Sequence, residues 1–223
     1  MTDARSNSPL LSRGALFALL ALVMIATRST LLRDHLFPLP DASWPVFFLA
    51  GFYFSGGGRL YGLASRGFAR VSLLALLVLA VLIDYFVISA QGLAFWSHYC
   101  VSPAYWFLAP AYATLWLGGA WLRRHYRGLD ARTLGLLAVS AFIASSLCFA
   151  ISDSSYYWLS DSWLAASAAT RSVGGWLSNF GDWYWTFVRS TLAYLAVAAL
   201  VHALATQWLG ALPAADATRR VQH

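Results

Sequence analysis

Cys100 stands in the segment SHYCVSPAY, two residues after His98 and five before Tyr105. A thiolate is a good nucleophile and a soft metal ligand. Pro103 marks the expected start of the next helix, because proline is well tolerated in a first helical turn. That places Cys100 just ahead of a helix N-terminus, whose partial positive charge favours thiolate over thiol. Three readings of this residue stay open: a nucleophile or metal ligand, a disulfide to Cys148, or an inert buried thiol. A structural zinc site needs about four protein ligands, and His98, Cys100 and His35 make only a thin set. The chain has no CxxC pair, which argues against a thiol–disulfide oxidoreductase.

Asp84 is the second residue with chemistry to offer. It lies inside the long apolar run VSLLALLVLAVLIDYFVISA, where a carboxylate is costly unless it is paired or faces a wet cavity. Its expected partner is Arg28, at the end of the first apolar run. The pair is either a staple between helices or a polar wall of a ligand pocket. Tyr85 points to another face and is expected to pack. The run Gly56–Gly58 precedes Arg59 but lacks the GxxxxGK[ST] pattern, so it reads as the end of a span and the chain carries no nucleotide hydrolysis of its own.

These residues must be positioned by membrane helices. Hydrophobic residues make up 60% of the chain and charged ones 11%, a composition no soluble domain of 223 residues explains. Spans are expected over residues 13–32, 43–60, 71–90, 104–122, 132–151 and 186–209. A bilayer core of about 30 Å needs about 20 helical residues; the last four segments reach that easily, the first two only if their ends extend. The fold class is therefore an all-α integral membrane protein with six transmembrane helices in a single domain. The N-terminus shows no convincing cleavage pattern, so the first apolar run is expected to be a retained span.

Arginine sets the orientation; all fifteen basic residues are arginine. Arg5, Arg13, Arg59, Arg66, Arg70, Arg123, Arg124, Arg127, Arg132, Arg219 and Arg220 fall on one side. Arg28, Arg33, Arg171 and Arg189 fall on the other, with Asp34, Asp41, Asp153, Asp161 and Asp182. The positive-inside rule puts both termini in the cytoplasm. The net charge of +6 is then a matter of topology and calls for no nucleic acid.

Residues 27–44, 91–103 and 152–185 face outward in this arrangement. The third is expected to be a long loop with a short interfacial helix across 161–170. Its aromatic residues, Trp158, Trp163, Trp176, Trp183 and Trp185, suit either an interfacial belt or the rim of a pocket for a large, flat, partly apolar ligand. Gly14 and Ala18 form a small-xxx-small pair, which suits internal packing or docking of another membrane subunit; Gly118, Gly119 and Ala120 allow the same two readings.

Two stretches carry a family resemblance. LPDASWPVFFLAGFYF (39–54) and HYCVSPAYWFLAPAYATLWLGG (98–119) resemble the BtuM-type vitamin B12 transporters, small bacterial membrane proteins related to the S-components of energy-coupling factor (ECF) transporters. The resemblance implies a six-helix, S-component-like bundle in the bacterial inner membrane that captures cobalamin from the periplasmic side. It implies that Cys100 ligates the cobalt from the upper axial side, and that Tyr105 and Asp84 belong to the site; Arg28 and His98 complete the expected set. A thiolate that displaces cyanide would make cyanocobalamin decyanation an activity of Cys100. An ECF energising module would dock near Gly14 and Ala18, in a form that departs from the usual AxxxA. The rival reading is a membrane-embedded thiol enzyme with Cys100 as nucleophile and His98 or His35 as base; a purely structural subunit is a third.

Overall fold

A computed structural model describes residues 9–29, 39–55, 62–98, 101–160 and 171–211. Cys100, His35, Trp163 and the expected short helix across 161–170 lie outside the described residues. Among those described the chain is all-helical, with six α-helices: α1 (Pro9–Arg28), α2 (Ser43–Phe54), α3 (Gly62–Ala90), α4 (Leu108–His125), α5 (Ala131–Leu159) and α6 (Val173–Ala211). Two short 3-10 helices, Phe95–Ser97 and Pro103–Phe107, join α3 to α4.

α2 is the centre of the bundle. Ten of its twelve residues are buried, on every side of the helix. Asp41 organises its start: Oδ1 accepts from the Ser43 backbone N–H at 2.8 Å and the Ser43 hydroxyl at 2.6 Å, next to the positive helix end. α4 packs most closely on α2. A Cβ at Gly51 would collide with the Trp116 carbonyl, and one at Gly119 with the Phe48 carbonyl, so the two backbones touch through reciprocal glycines. Gly118 faces α5 in the same way, with Ala144 Cβ 2.7 Å from where its own Cβ would be. The Ser140 hydroxyl donates to the Gly118 carbonyl at 2.8 Å. These glycines are therefore internal packing residues. α1 and α3 flank α2 on one side, and α6 lies against α5 and α2.

Among the described residues three helices are long and apolar enough to cross a membrane: Gly67–Ala90, Ala131–Leu159 and Val173–Gln207. Their outer faces carry exposed apolar stripes, such as Val71, Leu74, Val78, Leu82 and Phe86 on α3. A water-facing helix would carry polar residues there.

Several expected boundaries shift. α1 ends at Arg28 rather than residue 32, where Thr27 turns its hydroxyl back to the Val23 carbonyl and accepts the Ala42 N–H. α2 ends at Phe54, and at about 18 Å falls short of a bilayer core; residues 56–60 lie outside the described residues. The largest correction concerns 152–185. Residues 152–159 continue α5 and 173–185 open α6, so most of the expected loop is helix. The apolar run stops near residue 151, but the helix does not. Ser152 and Ser155 bond back to the Phe149 and Ser152 carbonyls, and Asn179 of α6 donates to Asp153 at 2.8 Å. Hydropathy marks where polar surface begins, which is not where a helix must end.

At the arginine-rich end, His202 of α6 bonds both Tyr53 Oη (2.9 Å) and Tyr126 Oη (3.1 Å), which ties α6 to α2 and to the α4–α5 connection. The Arg123 guanidinium lies over the Phe52 and Tyr126 rings.

Candidate functional site

At the opposite end α1, α3 and α5 finish and α4 begins. Arg28, the last residue of α1, is the hub. Nε donates to Asp84 Oδ1 at 2.8 Å and Nη2 to Asp84 Oδ2 at 2.7 Å, a bidentate pair. Nη1 donates to Tyr112 Oη (2.9 Å), Asp41 Oδ2 (3.2 Å) and Ser43 Oγ (3.2 Å). The Tyr105 hydroxyl donates to Asp84 Oδ2 at 2.8 Å. One cation thus joins α1, α2, α3 and α4. The Tyr112 ring is stacked on Phe47, with centroids 4.5 Å apart.

A cavity of about 550 Å3 opens over this network. Arg28, Asp84, His98 and Tyr105 all line it, together with Gln91, Ser152 and Tyr156. Its apolar walls are Val87, Ile88, Leu93, Ala104 and Leu108. The volume falls within the small-molecule range of roughly 300–1,000 Å3. Arg28 is engaged by five acceptor atoms, so its charge is neutralised inside the protein. Asp84 uses three of its roughly four acceptor positions on Arg28 and Tyr105. Among the described residues, one position on Oδ1, the Gln91 amide and the Ser152 hydroxyl oxygen, as an acceptor, are hydrogen-bonding groups that a ligand could reach. Such a surface suits a neutral ligand with amides or hydroxyls better than a strong anion.

The expected Asp84–Arg28 pair is therefore present; the Arg28 network ties four helices together, and the pair borders a cavity. Four of the five expected site residues share that cavity. The fifth, Cys100, lies outside the described residues; it stands in the sequence between His98, which lines the cavity, and Val101, whose N–H donates to the His98 carbonyl at 2.8 Å. Pro103 opens a 3-10 turn ahead of α4, as its position suggested. Cys148 is a free and fully buried thiol in the core. Among the described residues no group of three or more His, Cys, Asp or Glu side chains could hold a metal ion.

Tyr85 does not line the cavity; it is half exposed, beside Phe86 and Phe95. The tryptophans divide. Trp158, Trp183 and Trp185 are exposed on the outside, which fits an interfacial belt, and none of the described tryptophans lines the cavity. Residues that sequence reasoning missed include Tyr112, Gln91, Ser152 and Tyr156. A helical register would have found some of them. Asp84 and Ile88 share a face of α3 at i and i+4, with Gln91 three residues on in the turn that follows, and Ser152 and Tyr156 are four apart on α5.

No protein-family model matches this chain, and no curated protein matches it.

Proposed function

We propose that this chain is a six-span bacterial inner-membrane protein, with both termini cytoplasmic, that captures and transports cobalamin from the periplasmic side. The observation that carries the reading is convergence. Four residues selected from sequence alone meet in one cavity, at the end of the bundle opposite Arg70, Arg123, Arg124 and Arg132. Cys100 follows His98 by two residues in the sequence.

In this reading the Cys100 thiolate takes the upper axial position of cobalt(III). The corrin supplies four nitrogens, so one protein ligand suffices. With aquocobalamin the thiolate displaces water. With cyanocobalamin a cobalt–sulfur bond forms as cyanide leaves with its electron pair, without change in the oxidation state of cobalt. Asp84 Oδ1, Gln91 and Ser152 hydrogen-bond the corrin amides, and the apolar wall of Val87, Ile88 and Leu108 takes the ring edge. A ligand of this size extends beyond 550 Å3, so part of it stays over the cavity mouth. Gly14 and Ala18 are exposed on α1, which supports this helix as the docking face for an ECF energising module.

The test is an ultraviolet–visible spectrum of detergent-purified protein after incubation with aquocobalamin or cyanocobalamin, for the wild type and Cys100→Ala. A shifted corrin spectrum that co-purifies with the wild type and vanishes in the variant supports cobalt ligation. Equal binding by both keeps the vitamin and removes the thiolate chemistry. No corrin bound to either sinks the assignment. The thiol-enzyme reading then leads, because His98 at the cavity wall is the base it needs; it predicts covalent labelling of Cys100 and loss of activity in His98→Ala.

A further inference from the structure

A second void of about 300 Å3 lies between α3 and α4, and Tyr105 and Leu108 are shared between it and the first cavity. Both helices pack on α2, but they are not packed on each other along their length. The walls are Val78, Ala80 and Leu82 of α3, Ala109 of α4, and the rings of Tyr105 and Tyr112. Among the described residues, the side-chain polar atoms in this lining are the Trp106 indole N–H and the two tyrosine hydroxyls. Each hydroxyl is turned into the Arg28–Asp84 network, so these two rings offer the groove carbon surface. The α3 wall of the groove runs from Leu82 back to Leu77, about 8 Å at 1.5 Å per residue.

We propose that this groove binds one acyl chain of a membrane phospholipid. Its edge residues Val78 and Leu82 are 57% and 46% exposed and belong to the apolar stripe of α3, a helix long and apolar enough to cross a bilayer. The groove is thus continuous with a surface that lipid rather than water covers. Trp106 borders it and is 62% exposed; an indole there suits the headgroup level, where its N–H stays wet while its ring meets the chain. An apolar void left unfilled forfeits dispersion contacts on all its walls, and an acyl chain supplies them. The chain also backs the Tyr105 ring, which places lipid against the outside of the same residue that walls the ligand cavity. The inference rests on the membrane placement and is independent of what the first cavity binds.

The experiment uses the full chain in nanodiscs of phosphatidylcholine doped with a phospholipid that carries a diazirine in its acyl chain. After irradiation, adducts are mapped by mass spectrometry. The expected result is adducts concentrated on residues 77–82 and 105–112, above the level on the exposed stripes of α5 and α6. They fall several-fold in Ala109→Trp, which fills the groove, while α5 and α6 adducts hold. Val78→Phe fills it from the other wall, in case Ala109→Trp does not fold. Adducts spread evenly over α3, α5 and α6, or unchanged in both variants, overturn the groove while the membrane placement stands. No adducts on any helix overturn both.

Discussion

Arg28 holds the candidate site together, and its side chain is only 12% exposed. Removing one partner of a buried ion pair strands the other, at a cost of about 3–5 kcal/mol. Asp84→Ala is therefore expected to lower thermal stability in detergent strongly. The paired change Arg28→Met with Asp84→Leu is expected to recover most of that loss without restoring ligand binding; melting curves beside a binding titration separate the two effects. Tyr105→Phe deletes one hydrogen bond to a charged acceptor, worth about 1.5–3 kcal/mol, and keeps the ring. A milder stability loss than in Asp84→Ala is the outcome to look for. The Arg28–Asp84 pair was legible in the sequence because a carboxylate inside an apolar run must find a cation. Tyr112 was not legible as its neighbour. It is 84 residues from Arg28, and nothing in a tyrosine's own surroundings says that its hydroxyl will meet a guanidinium.

The helices succeed through close backbone approach and through their ends. Gly51 and Gly119 face backbone carbonyls, which cannot move aside as a side-chain tip can. Gly51→Ala and Gly119→Ala are each expected to cost about 1–3 kcal/mol or more, as overpacking does. Gly135→Ala meets nothing within 4 Å and is expected to be neutral or slightly stabilising, since alanine is the better helix former; unfolding curves on the three variants check the contrast. Asp130 caps α5 by accepting the Thr133 N–H at 2.7 Å, and that bond holds its carboxyl below the ordinary carboxylate range. With the folded-state pKa lowered, the contribution of the cap is full above the ordinary carboxylate pKa. It is lost as pH falls through the lowered folded value. Asp130→Ala is thus expected to reduce the melting temperature at neutral pH, with the gap to wild type closing in strong acid. The signal for the cap, an aspartate ahead of an apolar run, was present in the sequence but went unused. The contact of Gly119 was legible only as a choice between internal packing and docking, because small residues serve both, and that of Gly51 was missed.

At the scale of the whole molecule the proposal is a directional one. A fluorescent protein that matures only in the cytoplasm, fused at either terminus, is expected to fluoresce in both cases. Alkaline phosphatase fused within the α5–α6 connection is expected to be active, since that connection lies at the end with the cavity. Fluorescence at one terminus only would remove the even number of spans, and the periplasmic capture site with it.

Composition and residue order determined the helical class, the apolar stripes, the arginine asymmetry and the need of Asp84 for a cation, because each follows from the cost of placing charge and backbone polar groups away from water. Helix ends beyond the apolar runs, the partners of Arg28, the cavity that gathers Asp84, His98 and Tyr105, and the groove on the far side of Tyr105 were decided by tertiary structure alone. Each depends on which faces of distant helices meet, and hydropathy, which averages over a helix, carries no record of that.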